Sequence, residues 1–538
     1  MYSILDCVPN GYTLRSIQRD FLLHVEENWD KKVIVGNLPV AAGKSLCLIT
    51  IANWCVKNQL GSVAGIVPTI ILQDQYQDKH PDIHMLKGMR HYSCRCKKGK
   101  SCADTKAKEG RTCQTKELEN NGHSCCHYIE QRDIAVNSKF SLFNFHSMSY
   151  NRIFKKILIC DEGHNTRSHL IDRFSIKLWK HECNYPNFEI TDNFYDKGER
   201  VSVPSFISWL QKYAVEQATL LSSMIMTEID TKIVSKQQAL VDRLNDLNDV
   251  LKFNHRSMLI IKEKAYYSTH DKQYKNLDRT DQERILIKPL DLKWLGEKYL
   301  WPKGKTDKII FLSATFRENL LKELGLDDRS YTIFKGESPI PKEQREIRVW
   351  PIASMTWKNR KESIPKIAEK CMKIADRHHD TKGLIHCTYD TAAAIKDLNL
   401  ESKQSHRLIF HNQKDKNDKY QEFLATKKPA ILVASGMNEG IDLADDLAGW
   451  QILTMTMRPN LSDPVNWHIF KTDPELYDYL TIINTEQQTG RVCRNPKDLG
   501  YTYILNSDFW WFYKKTHINR FNSLWEDWFS EAIVLPKR

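Results

Sequence analysis

The sequence predicts an α/β protein with parallel sheets that place functional residues where strands end. The first observation is the stretch KILICDEGH, in which four apolar residues are followed at once by Asp161, Glu162, a glycine and His164. A short apolar run bounded by a turn signal is typical of a strand buried on both faces. Paired carboxylates at its carboxyl end favour a site for a metal and a water, although an acidic turn is the alternative.

The second observation is the upstream stretch KVIVGNLPVAAGKSLCLITIANW. It predicts a strand at Val33–Val35, a loop at Asn37–Gly43 and a helix that begins at Lys44. In this arrangement the backbone N–H groups at a helix N-terminus can hold phosphates. The usual pattern G-x-x-x-x-G-K-[ST] requires a glycine at the position of Leu38, which this chain lacks.

The two stretches together predict a nucleotide triphosphate site. Lys44 would reach the β- and γ-phosphates, and Ser45 would ligate Mg²⁺. Asp161 would contact the Mg²⁺ directly or through water, and Glu162 would polarise the attacking water. Each stretch alone is a weaker signal, since AGKS by itself also occurs by chance.

Length and composition indicate a folded protein of several domains. The chain has 538 residues, of which 41% are hydrophobic and 27% charged. Lys and Arg number 79 and Asp and Glu 67, so the net charge of +12 fits a polyanionic partner without requiring one. There is no apolar stretch long enough for a membrane span and no signal-peptide pattern at the start, so we expect a cytosolic protein, in a bacterium or in a host cell.

Cysteines are unevenly distributed among the 14 in the chain. Six fall between positions 94 and 126, and the others are scattered singly through apolar segments, where they resemble buried small hydrophobic residues. In a reducing compartment such a cluster favours a metal site over disulfides.

Near the other end, TEQQTGRVCRNPKDLG places Arg491 and Arg494 three residues apart, which predicts one helix face shared by both. Spaced arginines can neutralise charge on a transferring phosphoryl group, and Gln487 could orient water. A solvated basic helix is the alternative interpretation. The distance of this segment from Lys44 in the sequence predicts a second domain that closes on the nucleotide.

These stretches resemble, in order, the motifs of the iron–sulfur-containing XPD/DinG family of superfamily-two DNA helicases. YTLRSIQRDFL resembles the adenine-reading Q-motif through Arg15 and Gln18, and LPVAAGKS resembles the Walker A loop, with Ala41 in place of a glycine. IVPTIILQDQY resembles motif Ia, DEGH the family's form of the DEAH box, and FLSATF motif III. GESPIP, GLIHCTYD, ASGMNEGIDLADD and QQTGRVCR resemble the entry to the second motor domain and motifs IV, V and VI.

The resemblance implies that ATP lies between two RecA-like motor domains. Residues of the first motor would then face residues of the second across a cleft. Those assigned to catalysis are Lys44, Asp161, Glu162, Gln487, Arg491 and Arg494. Those assigned to nucleotide binding or to its coupling with DNA are Arg15, Gln18, Ala42, Gly43, Lys44, Ser45, Glu439 and Asp442, and Ser313, Thr315 and His164 would couple nucleotide state to closure.

The resemblance also assigns the cysteines to a [4Fe–4S] cluster. The flanking residues resemble the family's signatures around Tyr92-x-Cys94 and Cys126-x-Tyr128, with Cys102 and Cys113 as the ligands between them. Spacing alone leaves open that Cys96 replaces Cys94, or that Cys125 replaces Cys126. Tetrahedral zinc is the alternative metal, for which His91, His123 and His127 are further candidate ligands.

The segment between these motifs carries helical periodicity. Leu240, Leu244, Leu247 and Leu251 recur at steps of four, three and four, and Pro204 lies at a plausible helix start. A helical hairpin that packs on itself explains the stripe, and the resemblance implies a helical Arch domain. We therefore expect this domain order: first motor at 1–88, 139–166 and 295–335; iron–sulfur domain at 89–138; helical Arch-like domain at 167–294; second motor at 336–538.

The resulting hypothesis is a monomeric ATP-dependent helicase that moves along single-stranded DNA, 5′→3′ by family analogy, and opens duplex or forked DNA. Two alternatives are a nucleic-acid clamp with little ATP turnover and an RNA or R-loop helicase, since such motors grip phosphates and read little sequence. An exonuclease domain, which some DinG relatives carry, is not expected because the Q-motif begins so early. The aromatic segment with Trp510, Trp511 and Phe512 either closes a core or stacks on bases.

Overall fold

The computed structural model describes residues 1–95, 99, 101–103, 127–195, 198–226, 231–264, 283–399, 405–412, 415–435, 448–493 and 498–535. Across these residues the strands form two parallel sheets and one antiparallel sheet. The strands are β1 Val33–Asn37, β2 Val63–Val67, β3 His84–Leu86, β4 Phe140–Asn144, β5 Ile157–Asp161, β6 Ile176–Trp179, β7 Ile190–Tyr195, β8 Gly198–Val201, β9 Met258–Lys264, β10 Glu283–Pro289, β11 Lys308–Ser313, β12 Tyr331–Lys335, β13 Ile347–Ala353, β14 Gly383–Cys387, β15 Leu408–Phe410, β16 Ile431–Ser435, β17 Trp450–Leu453, β18 Tyr501–Asn506 and β19 Ile533–Val534.

The first parallel sheet has the strand order β12-β1-β11-β5-β2-β4-β3. Strands β1, β2, β5 and β11 are buried along their whole length, as expected for strands covered by helices on both faces. The register pairs Asn37 with Ser313 and Leu312 with Asp161, so β1, β11 and β5 end at the same level. The carboxyl edge of this sheet therefore brings three separate sequence motifs together.

The second parallel sheet has the order β15-β16-β14-β17-β18-β13-β19 and is formed by the C-terminal part of the chain. Its strands β14, β16 and β17 are also completely buried. The two sheets confirm the predicted α/β class with parallel strands.

The insertion between β5 and β11, expected to be a helical Arch-like domain, combines helices with strands. It contains two long helices, and it also contains an antiparallel sheet with the order β6-β10-β9-β8-β7. The stretches MLIIKEK and ERILIKP pair within it, and their apolar residues are buried in two different clusters, one on each face of the sheet.

The helices are Ser16–Glu27, Lys44–Lys57, Ile70–Lys79, His127–Asn137, Phe145–Asn151, Thr166–Phe174, Lys180–Cys183, Val203–Met226, Thr231–Asn254, Leu292–Tyr299, Glu318–Glu323, Arg360–Arg377, Tyr389–Asn399, Lys416–Ala425, Pro464–Thr472, Pro474–Thr489, Ser507–Tyr513 and Asp527–Ser530. The leucine stripe lies on Thr231–Asn254, where Leu244, Leu247 and Leu251 are buried and Leu240 packs at the margin of the same cluster. No helix in the described ranges is long and apolar enough to span a bilayer.

The antiparallel sheet also contacts the C-terminal half of the chain. The rings of Phe194 and Trp467 have centroids 5.3 Å apart, and Lys288 forms an ion pair with Asp463. The insertion therefore touches both halves of the molecule.

Candidate functional site: a cleft between the two parallel sheets

The loop that follows β1 begins the candidate site. The Leu38 backbone N–H donates to the Ser313 carbonyl at 2.7 Å, and the Leu38 side chain is completely buried. The residue that replaces the usual glycine is thus used for packing. The helix then begins at Lys44, as predicted.

Two residues of this loop adopt left-handed backbone conformations. Gly43 has φ 79° and Ala41, where the family pattern has glycine, has φ 69°. A left-handed conformation costs a non-glycine residue about 1–2 kcal/mol. The chain forms this turn with alanine and carries that backbone strain.

Side chains of the Q-motif hold this loop from behind. The Arg15 guanidinium donates to the Ala41 carbonyl, and the Gln18 amide donates to the Gly43 carbonyl at 3.1 Å. A Cβ on Gly43 would lie 2.2 Å from Nε2 of Gln18, so a side chain there would push the Gln18 amide away from the loop carbonyl. Arg15 and Gln18 therefore brace the loop backbone here, while Ala42 is buried within it.

Four of the predicted residues, Lys44, Glu162, His164 and Ser313, are linked to one another by side-chain contacts. Lys44 Nζ lies 3.1 Å from Glu162 Oε1, and His164 Nδ1 lies 3.5 Å from the other Glu162 oxygen. His164 Nδ1 is also 2.9 Å from the Ser313 hydroxyl. Burial lowers the pKa of His164 to about 4, so the ring is neutral at physiological pH. Glu162 itself has φ 47°, which turns its carboxylate toward the lysine.

Asp161 ends β5 in a buried position. Its Oδ1 accepts the Glu162 backbone N–H at 3.0 Å and its Oδ2 accepts the Tyr76 hydroxyl at 3.1 Å. Burial and then the neighbouring Glu162 raise the pKa of Asp161 to about 6, against the attraction of Lys44. A nearby cation stabilises the charged form of a buried carboxylate whose pKa is raised. Asp161 and Ser45 therefore fit as ligands of a Mg²⁺ ion.

Residues of the C-terminal half reach this edge of the first sheet. The Gln487 amide donates to the Thr315 hydroxyl at 3.2 Å, and a Cβ on Gly490 would lie 2.4 Å from Cγ2 of Val40. The Arg491 charge contributes to the lowered pKa of His164, after burial and the closer charges. The lysine loop and the Gln487–Arg491 segment thus face one another across a narrow cleft.

The helix predicted to carry both arginines is shorter than expected. It ends at Thr489, with Gly490 at the C-cap, so Arg491 lies in the turn that follows. Glycine is favoured where a helix stops, and the close approach of Val40 to Gly490 leaves no space for a side chain at this end. The prediction that Arg491 lies on a helix face is therefore wrong.

Sequence reasoning missed a buried charged group beside Gln487. Arg317 forms an ion pair with Glu526, and the Glu526 backbone N–H donates to Glu486 Oε1 at 2.7 Å. Burial and then Glu526 raise the pKa of Glu486 well above its usual range. Arg317 follows motif III and the two acids belong to the C-terminal half, so this group joins the halves. The only feature of the sequence that pointed to this group is the position of Arg317 directly after SATF.

The ends of the cysteine-rich segment lie together. The Tyr92 and Tyr128 rings, each two residues from an expected ligand in the sequence, have centroids 5.7 Å apart. Cys94 and Cys102 are buried and flank a bridge between Ser93 and Ser101. Among the described residues no group of three or more His, Cys, Asp or Glu side chains is placed to hold a metal ion.

Several predicted residues lie outside the described part of the chain. They are Arg494, Glu439, Asp442, Cys113 and Cys126, together with the alternative ligands Cys96, Cys125 and His123.

The C-terminal aromatic segment mainly closes a core. Phe512 is buried and Trp510 packs against the same cluster, whereas Trp511 is 70% exposed. Base stacking by Trp510 and Phe512 is therefore not supported by their positions.

Comparison with known proteins agrees with this arrangement. Residues 383–525 match the family of helicase C-terminal domains. No curated protein matches the sequence. The fold is similar to the solved structure XPD_Helicase, with a TM-score of 0.61 and 14% identity over 94% of this chain and 98% of that chain. It is also similar to XPD_APO (TM-score 0.57, 12% identity, 95% and 99% covered) and to S. tokodaii Xpd4 (TM-score 0.56, 13% identity, 97% and 100% covered).

These matches agree with the resemblance seen in the motifs: residues 383–525 match the helicase C-terminal domains, and the chain shares the fold of the solved XPD structures. At 12–14% identity the structural likeness establishes the architecture.

Proposed function

We propose that this protein is an ATP-driven helicase that moves along single-stranded DNA in the 5′→3′ direction and opens duplex or forked DNA. The observation that carries the proposal is a continuous path of contacts across the cleft. It runs from Lys44 through Glu162 and His164 to Ser313, and motif III continues it from Thr315 to Gln487.

The site contains the groups that phosphoryl transfer needs. Lys44 would bind the β- and γ-phosphates in place of its present partner Glu162, which would then be released to orient the attacking water. Ser45 and Asp161 would hold Mg²⁺, whose charge would neutralise the phosphate oxygens. Arg491 and Arg494 would add positive charge from the second motor.

ATP binding would move the halves through the same contacts. When Lys44 changes partner, the Glu162–His164–Ser313 contacts change with it, and motif III lies against Gln487. A ligand that contacts both halves stabilises the closed arrangement, and its hydrolysis releases it. Glu439 and Asp442 would transmit this motion to DNA.

We further propose that Cys94, Cys102, Cys113 and Cys126 hold a [4Fe–4S] cluster that orders the segment between Tyr92 and Tyr128. The contact between these two rings supports the cluster, because it brings the two ends of the cysteine-rich segment next to each other. Zinc in the same position is the alternative.

Phosphate release with and without single-stranded DNA tests the motor. Wild-type protein should show DNA-stimulated release, and Lys44→Ala should reduce it by about 10²-fold or more. Lys57→Ala is the matched control, because Lys57 lies at the far end of the same helix over the Tyr2 ring. DNA binding without stimulated release in the wild type would instead indicate a clamp.

Strand separation tests substrate and direction. The proposal predicts unwinding of a fork with a 5′ single-stranded DNA tail and little unwinding from a 3′ tail. Preference for an RNA tail would favour the RNA or R-loop alternative.

The absorption spectrum of anaerobically purified protein tests the cluster. Thiolate-ligated iron gives a broad visible band that zinc lacks. Cys113→Ser should remove the band, and Cys183→Ser, a half-buried cysteine in the insertion, should retain it. A colourless wild-type protein with bound zinc would contradict the iron assignment.

A further inference from the structure

Tyr76 occupies an unusual position beside the proposed nucleotide site. It lies on the helix Ile70–Lys79, which follows β2, and only 4% of it is exposed. Its hydroxyl donates to Asp161 Oδ2 at 3.1 Å, and the Ser45 hydroxyl lies near enough to lower the pKa of the phenol, against the larger raising effect of burial. One buried phenol therefore lies beside both side chains that are proposed to hold Mg²⁺.

The directions of these hydrogen bonds suit cation binding. A tyrosine hydroxyl has one hydrogen to donate and lone pairs to accept with. Because Tyr76 gives its hydrogen to Asp161, the Ser45 hydroxyl beside it can only donate to it, which would leave the Ser45 oxygen its lone pairs for a cation. Ser45 is exposed on the cleft side while Tyr76 is buried behind it.

The remaining Asp161 contact fixes the carboxylate plane. Oδ1 accepts the Glu162 backbone N–H, so the two oxygens are held from different sides. Groups behind a metal ligand orient it, and their loss typically costs 10–100-fold in metal affinity.

We infer that Tyr76 is a positioning residue that orients Ser45 and Asp161 toward the Mg²⁺ of the bound nucleotide, without itself touching the ion. This inference rests on the proposed function, because it assumes that Mg²⁺ and a nucleotide occupy the site.

Binding of a fluorescent ADP analogue, titrated with Mg²⁺, tests the inference without using turnover. Tyr76→Phe keeps the ring and removes the hydroxyl. It should raise the Mg²⁺ concentration for half-maximal binding by about tenfold, and leave binding in EDTA unchanged. In steady-state ATPase assays the KM for Mg²⁺ should rise more than kcat falls.

Tyr195→Phe is the matched control. The Tyr195 hydroxyl also donates to a buried carboxylate, Glu263, but in the antiparallel sheet of the insertion. It should leave the Mg²⁺ requirement at the wild-type value. An equal shift in both variants would mean a general loss of folding and would overturn the positioning role.

The Ser45→Ala background provides a second measurement. If Tyr76 acts in part through Ser45, the added Tyr76→Phe change should shift the Mg²⁺ requirement less there than in the wild type. An unchanged Mg²⁺ requirement in Tyr76→Phe, with wild-type protein binding the analogue normally, overturns the inference alone. Wild-type protein that binds no nucleotide at any Mg²⁺ concentration overturns the proposed function instead.

Discussion

Gly490 offers a sharp test of the closed cleft, because it contacts the lysine loop from the other half of the chain. Its backbone has φ −81°, which any residue can adopt, so alanine there carries no backbone penalty. An added Cβ would, however, lie 2.4 Å from Cγ2 and 3.0 Å from Cγ1 of Val40. The substitution Gly490→Ala should therefore act only where the two halves approach.

The size of the effect follows from the overlap. The nearest contact is about 1 Å shorter than an ordinary van der Waals contact, and overpacking of this kind costs about 1–3 kcal/mol. Only the closed arrangement of the two halves has this overlap, so its free-energy cost opposes closure. At 1.4 kcal/mol per factor of ten, we expect DNA-stimulated phosphate release to fall roughly 5- to 140-fold.

Gly449→Ala is the control within the same half of the chain. Its nearest new neighbour would be the Thr381 Cβ at 3.6 Å, an ordinary contact, so phosphate release should stay at the wild-type value. Val40→Ala removes both methyl groups that Gly490→Ala would strike, and the double variant should recover most of the lost rate. Wild-type turnover in Gly490→Ala, or a double variant no better than the single one, would refute the reasoning.

Three further predictions concern Ala41, Gly43 and Asp161. Ala41→Gly removes a left-handed alanine and should raise the free energy of unfolding by about 1 kcal/mol with nucleotide binding retained, as denaturant unfolding and titration would show. Gly43→Ala, whose Cβ would lie 2.2 Å from the Gln18 amide, should displace Gln18 from the loop and weaken nucleotide binding. Because the pKa of Asp161 is raised to about 6, its contribution to stability is present below pH 4 and lost as pH rises through 6. Asp161→Asn should therefore stabilise nucleotide-free protein more at pH 7 than at pH 4 in thermal unfolding; an equal gain at both would contradict this.

The parallel sheets were predictable because their strands are short apolar runs that end in turn and ligand residues. Val33–Val35 and the run before Asp161 are buried on both faces, and each lies in the strand expected. The helix with the leucine stripe was also predictable, since the leucines recur with the helical period.

The antiparallel sheet of the insertion was missed because two long helices separate β8 from β9 and because its strands carry many charges. Its central strands, MLIIKEK and ERILIKP, do contain a β-branched signal, but their pairing depends on a long-range contact. The helix end at Gly490 was missed for a related reason, since the arginine spacing suited a helix and the glycine that stops it was read as part of the motif.

Tertiary contacts of the site were beyond sequence reasoning. Nothing in the sequence places Tyr76 against Asp161, or joins Arg317 to Glu486 through Glu526. Each pair is far apart in the chain, and no local pattern links them.

The central claim is that a lysine of the first half and an arginine of the second serve one triphosphate. A crystal structure with Mg²⁺, ADP and beryllium fluoride tests it most directly. We expect Lys44 and Arg491 to contact the same beryllium fluoride group, with Ser45 and Asp161 around the magnesium ion. Nucleotide bound elsewhere, or Arg491 directed away from it, would show that the two residues do not serve one triphosphate.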